Sequence, residues 1–289
     1  MSSSIMPSDP TKRKRVIEPR IDPKTKKMDV GGLLIPPTSL LTALLYGFAH
    51  HPRALAREYY FWRICDELWN HDDLPEPMMI RHPWAEQMIR SAIHNKYLSV
   101  GGSASSGKSH TMAAWGIVNW LSQPRDTLIL MTSTTLREAR KRIWGSVISL
   151  LSVIDGAPIK IRDSIGNAAY IDEKDNLIER AGLSLIAAEK SKTREAVGKF
   201  IGIKQKRVIL IGDELSELSE AILQAGLTNL SKNPHFQMIG MANPNSRFDA
   251  FGVWSEPKEG WDSIDIQTAD EWDTKWGGKY IRLDGERSP

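Results

Sequence analysis

Residues Gly101 to Thr111 read GGSASSGKSHT, a glycine- and serine-rich turn between two apolar segments. Gly102, the four residues Ser103, Ala104, Ser105 and Ser106, and then Gly107, Lys108 and Ser109 fit the spacing G-x-x-x-x-G-K-[ST]. In that pattern backbone N–H groups wrap the phosphates of a nucleotide. Gly102 and Gly107 are expected to take backbone angles that a Cβ forbids. Lys108 sets a point charge on the β and γ phosphates, and the Ser109 hydroxyl can ligate Mg²⁺. His110 completes the predicted nucleotide-binding stretch. Tyr97 to Val100 is a short buried-strand candidate, and Ser109 to Leu121 is apolar at helical spacing. Phosphates would therefore meet a helix N-terminus. The stretch predicts nucleoside triphosphate binding, and the flanking strand and helix count against a merely solvated loop.

The second signal is Val208 to Ile211 followed by Gly212, Asp213 and Glu214. Four apolar residues ending in two carboxylates place Asp213 and Glu214 at the carboxyl end of a central parallel strand, where nucleotides bind in open α/β sheets. Asp213 is expected to hold Mg²⁺ through a water, and Glu214 to orient or deprotonate the water that attacks the γ-phosphate. Alone, the pair would read better as a helix cap, since a helix is predicted from Ser216. The third signal is the apolar run Phe236 to Ala242, which ends in Asn243-Pro244-Asn245. An amide at such a strand end can hydrogen-bond the γ-phosphate or the attacking water, whereas the plainer alternative for Asn243 is a turn former.

The chain has 289 residues, 41% of them hydrophobic and 25% charged. It is long enough to bury about three quarters of its unfolded surface. Net charge is +3 and the pI is about 8.8, a mild basic excess that permits a nucleic-acid partner without requiring one. The single cysteine, Cys65, excludes an internal disulfide framework and any multi-cysteine zinc site, and suits a reducing compartment. No run of eighteen apolar residues is present, so no membrane span is predicted.

Residues 1–35 are rich in Ser, Pro, Lys and Arg and read as a disordered basic arm. Residues 36–83 read as a helical appendage and linker, with helical periodicity from Leu40 to Leu68 and a turn-rich end at Pro75, Pro77 and Pro83. Residues 84–289 form the nucleotide-binding domain. Within it Gln87, beside Trp84, is a weak candidate for the adenine edge, since an amide offers both a donor and an acceptor. Leu136 to Val153 is predicted as one helix with Arg137, Arg140 and Arg142 on its polar face. The basic stretch Glu189 to Arg207 carries Lys190, Lys192 and Arg194, candidate contacts to a DNA backbone, although such a charge run is as often a solvated loop. The tail, with Trp254, Trp261, Trp272 and Trp276, is expected to pack back onto the sheet.

Loop, Asp-Glu strand and Asn-ended strand occur in that order, with a further strand between the first two. From about Trp84 to Asp284 this pattern resembles the ATPase domain of the large terminase subunit, the motor that packages DNA into phage capsids. GGSASSGKS, VILIGDE and MIGMANP match that family's Walker A, Walker B and coupling motifs. The resemblance implies an α/β fold of the P-loop NTPase, RecA-like kind, a mostly parallel sheet with helices on both faces. It also implies hydrolysis of ATP with Mg²⁺, coupled to movement of double-stranded DNA into a procapsid. The implied partners are a portal protein, a small terminase subunit and further copies of the chain in a ring, with the host cytoplasm as compartment and no membrane.

Two departures stand out. Many terminases carry an arginine within the loop, and Ser103 to Ser106 contain none, so Arg140 is the expected arginine finger, acting in trans, with Arg137 second. Family members also usually continue into a nuclease domain, which is not expected within these 289 residues. A helicase-type translocase would need a second RecA-like domain, and an AAA+ ATPase a helical lid; neither reads from the chain after Ala242. The remaining alternative is a nucleotide-switched DNA or capsid adaptor without turnover, for which Glu214 would be superfluous.

Overall fold

The computed structural model describes residues 10–187, 197, 198, 200 and 203–289. The chain divides into two compact units, Met1–Pro77 and Met78–Pro289, so the division falls a few residues before the expected boundary at 83/84.

In the first unit, helix α1 (Pro10–Ile17) leads to three short antiparallel strands, β1 (Arg20–Ile21), β2 (Met28–Val30) and β3 (Leu33–Ile35). This corrects the expectation of a disordered arm for residues 10–35. Few apolar residues are present, but three of them fall where they can be buried: Ile17, Val30 and Ile35 are 5%, 0% and 8% exposed. Backbone groups of the segment are also tied down, since the Tyr60 hydroxyl donates to Ile17 O at 3.0 Å and the Asp22 carboxylate accepts from Lys24 N and Thr25 N. Helices α2 (Leu40–His50) and α3 (Ala54–Trp69) follow. Ser39 caps α2 by accepting from Thr42 N, and Leu44, Phe48, Tyr60, Phe61 and Ile64 form the interior.

The second unit is a nine-stranded, mostly parallel sheet with helices on both faces. Its elements in chain order are α4 (Pro83–His94), β4 (Tyr97–Gly102), α5 (Lys108–Ser122), β5 (Thr127–Ser133), α6 (Leu136–Lys141), α7 (Ile143–Ser152), β6 (Ile159–Arg162), β7 (Asn167–Ile171), β8 (Leu177–Ala187), β9 (Arg207–Gly212), α8 (Glu220–Leu230), β10 (Phe236–Ala242), α9 (Ala250–Ser255), β11 (Glu271–Asp273) and β12 (Lys279–Leu283). The spatial order is β11-β12-β4-β10-β9-β5-β8-β7-β6. The six strands from β12 to β8 are mutually parallel, and the antiparallel strands lie at the two edges. Continuous apolar runs such as Val208 to Ile211 suit strands covered on both sides. Ile129, Met131 and Ile211 face α5, while Leu128, Leu130, Val208, Leu210 and Met238 join a core with α8, α9 and Trp254. The result is the P-loop NTPase fold.

Two further expectations change. The single helix predicted over Leu136 to Val153 is two helices broken at Arg142, whose backbone angles are φ −118° and ψ −110°. The Trp-rich tail does more than pack against the sheet, because it extends the sheet: β12 runs parallel to β4, and Trp272 of β11 stacks on Tyr280 at 3.8 Å. Trp254 anchors the same region by donating to Leu98 O at 3.1 Å. Among the described residues no helix is long and apolar enough to cross a membrane.

Candidate functional site

Because β4, β10 and β9 are parallel neighbours, the segments leaving their carboxyl ends share one edge of the sheet. That edge holds the glycine-rich loop, Asn243, and Asp213 with Glu214. Gly107 caps α5 with φ +76°, in the left-handed region that only glycine enters freely. Gly102 is required for another reason than expected, since a Cβ there would stand 2.8 Å from Leu283 Cβ and 3.2 Å from Leu283 O.

Lys108 is 7% exposed and folds back over its own loop. Its ammonium donates to Gly102 O and Ser103 O at 2.7 Å each, to Ser106 Oγ at 3.1 Å and to Asn243 Oδ1 at 3.4 Å. Burial lowers its pKa, while the carboxylates of Glu214 and Asp213 work against that shift. The charge is thus held at the mouth of the loop, between the P-loop strand and the strand that ends in Asn243.

Ser109 donates to Asp213 Oδ1 at 2.8 Å. Asp213 is 2% exposed, and its Oδ2 is buried without a hydrogen-bond partner among the described residues. Hydroxyl and carboxylate are the hard oxygen donors that Mg²⁺ takes, and Ser109 Oγ and Asp213 Oδ1 stand together at the start of α5. These residues fit the cation.

Burial pushes the Asp213 carboxyl up to about 6, with Glu214 adding to the rise and Ser109, Arg142 and Lys108 opposing it. The ordinary value is 3.8, so between about pH 4 and 6 the folded chain keeps a proton that the unfolded chain releases. Stability from this group is therefore full below about pH 4 and falls as pH rises to about 6, by about 3 kcal/mol. In metal-free protein the melting temperature of the unmodified chain is expected to drop relative to Asp213→Asn across that window. A difference that stays flat from about pH 4 to 7 would contradict it.

Glu214 sits in the left-handed region, φ 52° and ψ 52°, a conformation that costs a non-glycine residue and recurs at functional sites. It makes no side-chain capping bond, and α8 begins only at Glu220 with Ser219 as its cap; the helix-cap alternative does not describe this pair. Arg142 Nη1 lies 3.4 Å from Glu214 Oε1. Arg140, the expected finger, is committed elsewhere: it donates to Asp163 O at 2.7 Å and lies 3.8 Å from Asp163 Oδ1. Arg137 is exposed on α6. The helix break at Arg142 separates these side chains, so the arginine beside the carboxylates is the one at the break.

Beside the loop lies a cleft of about 560 Å³ between Met78, Met79, Ile80 and His82 on one side and Ser105, Ser106 and Gly107 on the other. His110 lines it too and hydrogen-bonds through Nε2 to Met78 O at 2.7 Å. An apolar slot next to a phosphate loop can take a nucleobase. Gln87, expected at the adenine edge, is not part of that lining. Helix α4 buries Trp84, Ala85, Met88, Ile89 and Ala92, and helical spacing turns Gln87 away from that set. Met78 to His82 lie in a stretch that carries only turn signals in the sequence. The expected DNA contacts Lys190, Lys192 and Arg194 fall outside the described residues.

No protein-family model matches the chain, and no curated protein matches it. Among the solved structures that resemble it are large terminases of phages. One is the large terminase of a thermophilic bacteriophage in complex with ADP, at 13% identity and a TM-score of 0.44, covering 66% of this chain and 40% of that one. The same phage protein in complex with ATP-γ-S gives 13% identity and a TM-score of 0.42, over 66% and 39% of the two chains. The large terminase ATPase domain of Thermus phage P74-26 gives 16% identity and a TM-score of 0.44, over 65% and 71%. The chain thus spans well under half the length of the first of these proteins, and it resembles phage large terminases in the course of the backbone over about two thirds of its own length.

Proposed function

We propose that this chain is an ATP-hydrolysing motor domain of the large-terminase kind, which couples turnover of Mg²⁺·ATP to movement of double-stranded DNA. The observation that carries the reading is Lys108. Its buried ammonium sits on the loop carbonyls and on Asn243, with the Ser109 and Asp213 pair and Glu214 on the neighbouring strand end. Loop N–H groups and Lys108 bind the phosphates. Ser109 and Asp213 would hold the cation, which when bound would neutralise charge on the phosphate oxygens. Glu214 takes the proton of the attacking water, a role that contributes about 10² to 10⁴ in rate. For that, its carboxylate must be released from Arg142, whose guanidinium then becomes available to developing negative charge. Asn243, bonded to Lys108, senses the occupied phosphate position and passes it to the segment that follows β10. The cleft bounded by Met78 to His82 receives the base.

ATP turnover, measured with and without double-stranded DNA over a range of protein concentrations, tests the reading. Turnover is expected to rise with DNA. A steep rise with concentration would mean that the site is completed by a neighbouring copy, as a ring requires. Tight nucleotide binding without turnover under any of these conditions would favour a nucleotide-switched adaptor.

A further inference from the structure

Strand β5 reads Thr127-Leu-Ile-Leu-Met-Thr-Ser133. Successive side chains of a strand alternate between faces, so Ile129, Met131 and Ser133 share one. Ile129 Cγ2 and Met131 Cε lie 3.1 and 3.2 Å from where a Cβ on Gly116 of α5 would stand, and Ile211 Cδ1 lies 3.7 Å from it. That face is the one α5 covers. On β9 the same alternation gives Ile209 and Ile211, and Asp213, the first residue beyond the strand, meets Ser109 at the start of α5. Thr132 pairs with Gly212, and the ladder continues through Asp213 N donating to Thr132 O at 2.9 Å. One residue further along each segment stand Ser133, the last residue of β5, and Asp213, whose N–H is bonded to the residue before Ser133.

Ser133 is a hydroxyl where the pattern calls for an aliphatic residue. It is 0% exposed, and its Oγ has no hydrogen-bond partner among the described residues. Asp213 Oδ2 is in the same condition. One is a donor and the other an acceptor, each lacks a match, and neighbouring strands stand about 4.8 Å apart. A rotation about the serine Cα–Cβ bond between staggered positions re-aims the hydroxyl without moving the backbone.

We propose that Ser133 is a positioning residue for the nucleotide-bound divalent cation: its hydroxyl donates to Asp213 Oδ2 and fixes the rotation of that carboxylate, leaving Oδ1 and the Ser109 hydroxyl to receive the cation. The inference rests on the reading of this site as one for Mg²⁺ and a nucleotide. Ser133 touches neither substrate nor cation and acts only through Asp213.

The test is equilibrium binding of a fluorescent ADP analogue, titrated with Mg²⁺ and repeated in EDTA, so that no turnover is involved. Ser133→Ala is expected to raise the Mg²⁺ concentration at half-saturation roughly tenfold, as loss of a hydrogen bond to a charged group implies. Affinity in EDTA should be unchanged. Ser133→Thr, which keeps the hydroxyl on a β-branched side chain suited to a strand, should return the midpoint to within about twofold of the unmodified protein. If the added methyl prevents folding, Ser133→Cys, close to serine in volume but a weak donor, should behave like Ser133→Ala. An unchanged Mg²⁺ midpoint in Ser133→Ala overturns the proposal, and so does an equal loss in EDTA, which marks a general structural defect. Absence of Mg²⁺-dependent binding in the unmodified chain would instead overturn the reading of the site itself, and this inference with it.

Discussion

Glu214→Gln is expected to bind Mg²⁺·ATP as tightly as the unmodified chain while its turnover falls about 10²- to 10⁴-fold, the usual contribution of a positioned general base. The amide has the shape of the carboxylate, and the strained turn at φ 52° does not depend on the side-chain charge. What is lost is the capacity to accept a proton, together with half of the ion pair to Arg142. The neutral amide oxygen of the variant can still accept from Arg142, so the contact at 3.4 Å is weakened and not emptied. Nucleotide titration beside single-turnover hydrolysis separates the two effects. If affinity and turnover fall together, Glu214 is part of the binding surface and the division of labour between it and Asp213 is wrong.

Lys108→Ala is expected to lose nucleotide affinity by about 10- to 100-fold or more, since a hydrogen bond to a charged group contributes about 1.5 to 3 kcal/mol and this ammonium would make several. The loop also loses the donor to Gly102 O and Ser103 O, so part of the effect comes from a loop no longer preorganised for phosphate. Lys108→Met separates the contributions, because it keeps most of the chain length and packing without the charge. Equal affinity loss in Met and Ala variants assigns the effect to the ammonium. Near-normal affinity in the Met variant would make Lys108 a packing residue and remove the phosphate loop from the site.

Several parts of this architecture are legible because they are local. The spacing from Gly102 to Ser109 specifies a tight turn between a strand and a helix, and β4 and α5 flank it. The runs Thr127 to Met131, Val208 to Ile211 and Phe236 to Ala242 have no polar face, so they can only be strands covered on both sides, and all three are. Where the reading went wrong, the deciding contact is remote in sequence. Three well-placed apolar residues order 10–35, a segment whose average composition reads as disorder, because burial depends on position and composition does not record it. The helix from Leu136 breaks at Arg142 although no proline or glycine stands there. Helical spacing alone therefore singled out Arg140, which the folded chain ties to Asp163, twenty-three residues on.

By itself, then, the sequence determined the class of the second unit, and it singled out the glycine-rich loop, Asp213 and Asn243 as candidates, since both follow from periodicity and from the chemistry of short contiguous stretches. Tertiary structure alone decided which strand ends meet. Strand β10 inserts between β4 and β9, bringing Asn243 to Lys108 across 135 residues, and β5 lies on the far side of β9, where Thr132 O accepts from Asp213 N. Strand order is chosen by the total burial and hydrogen bonding of the whole sheet, to which each local segment contributes almost equally in many arrangements. No window of sequence short enough to read by pattern contains that choice.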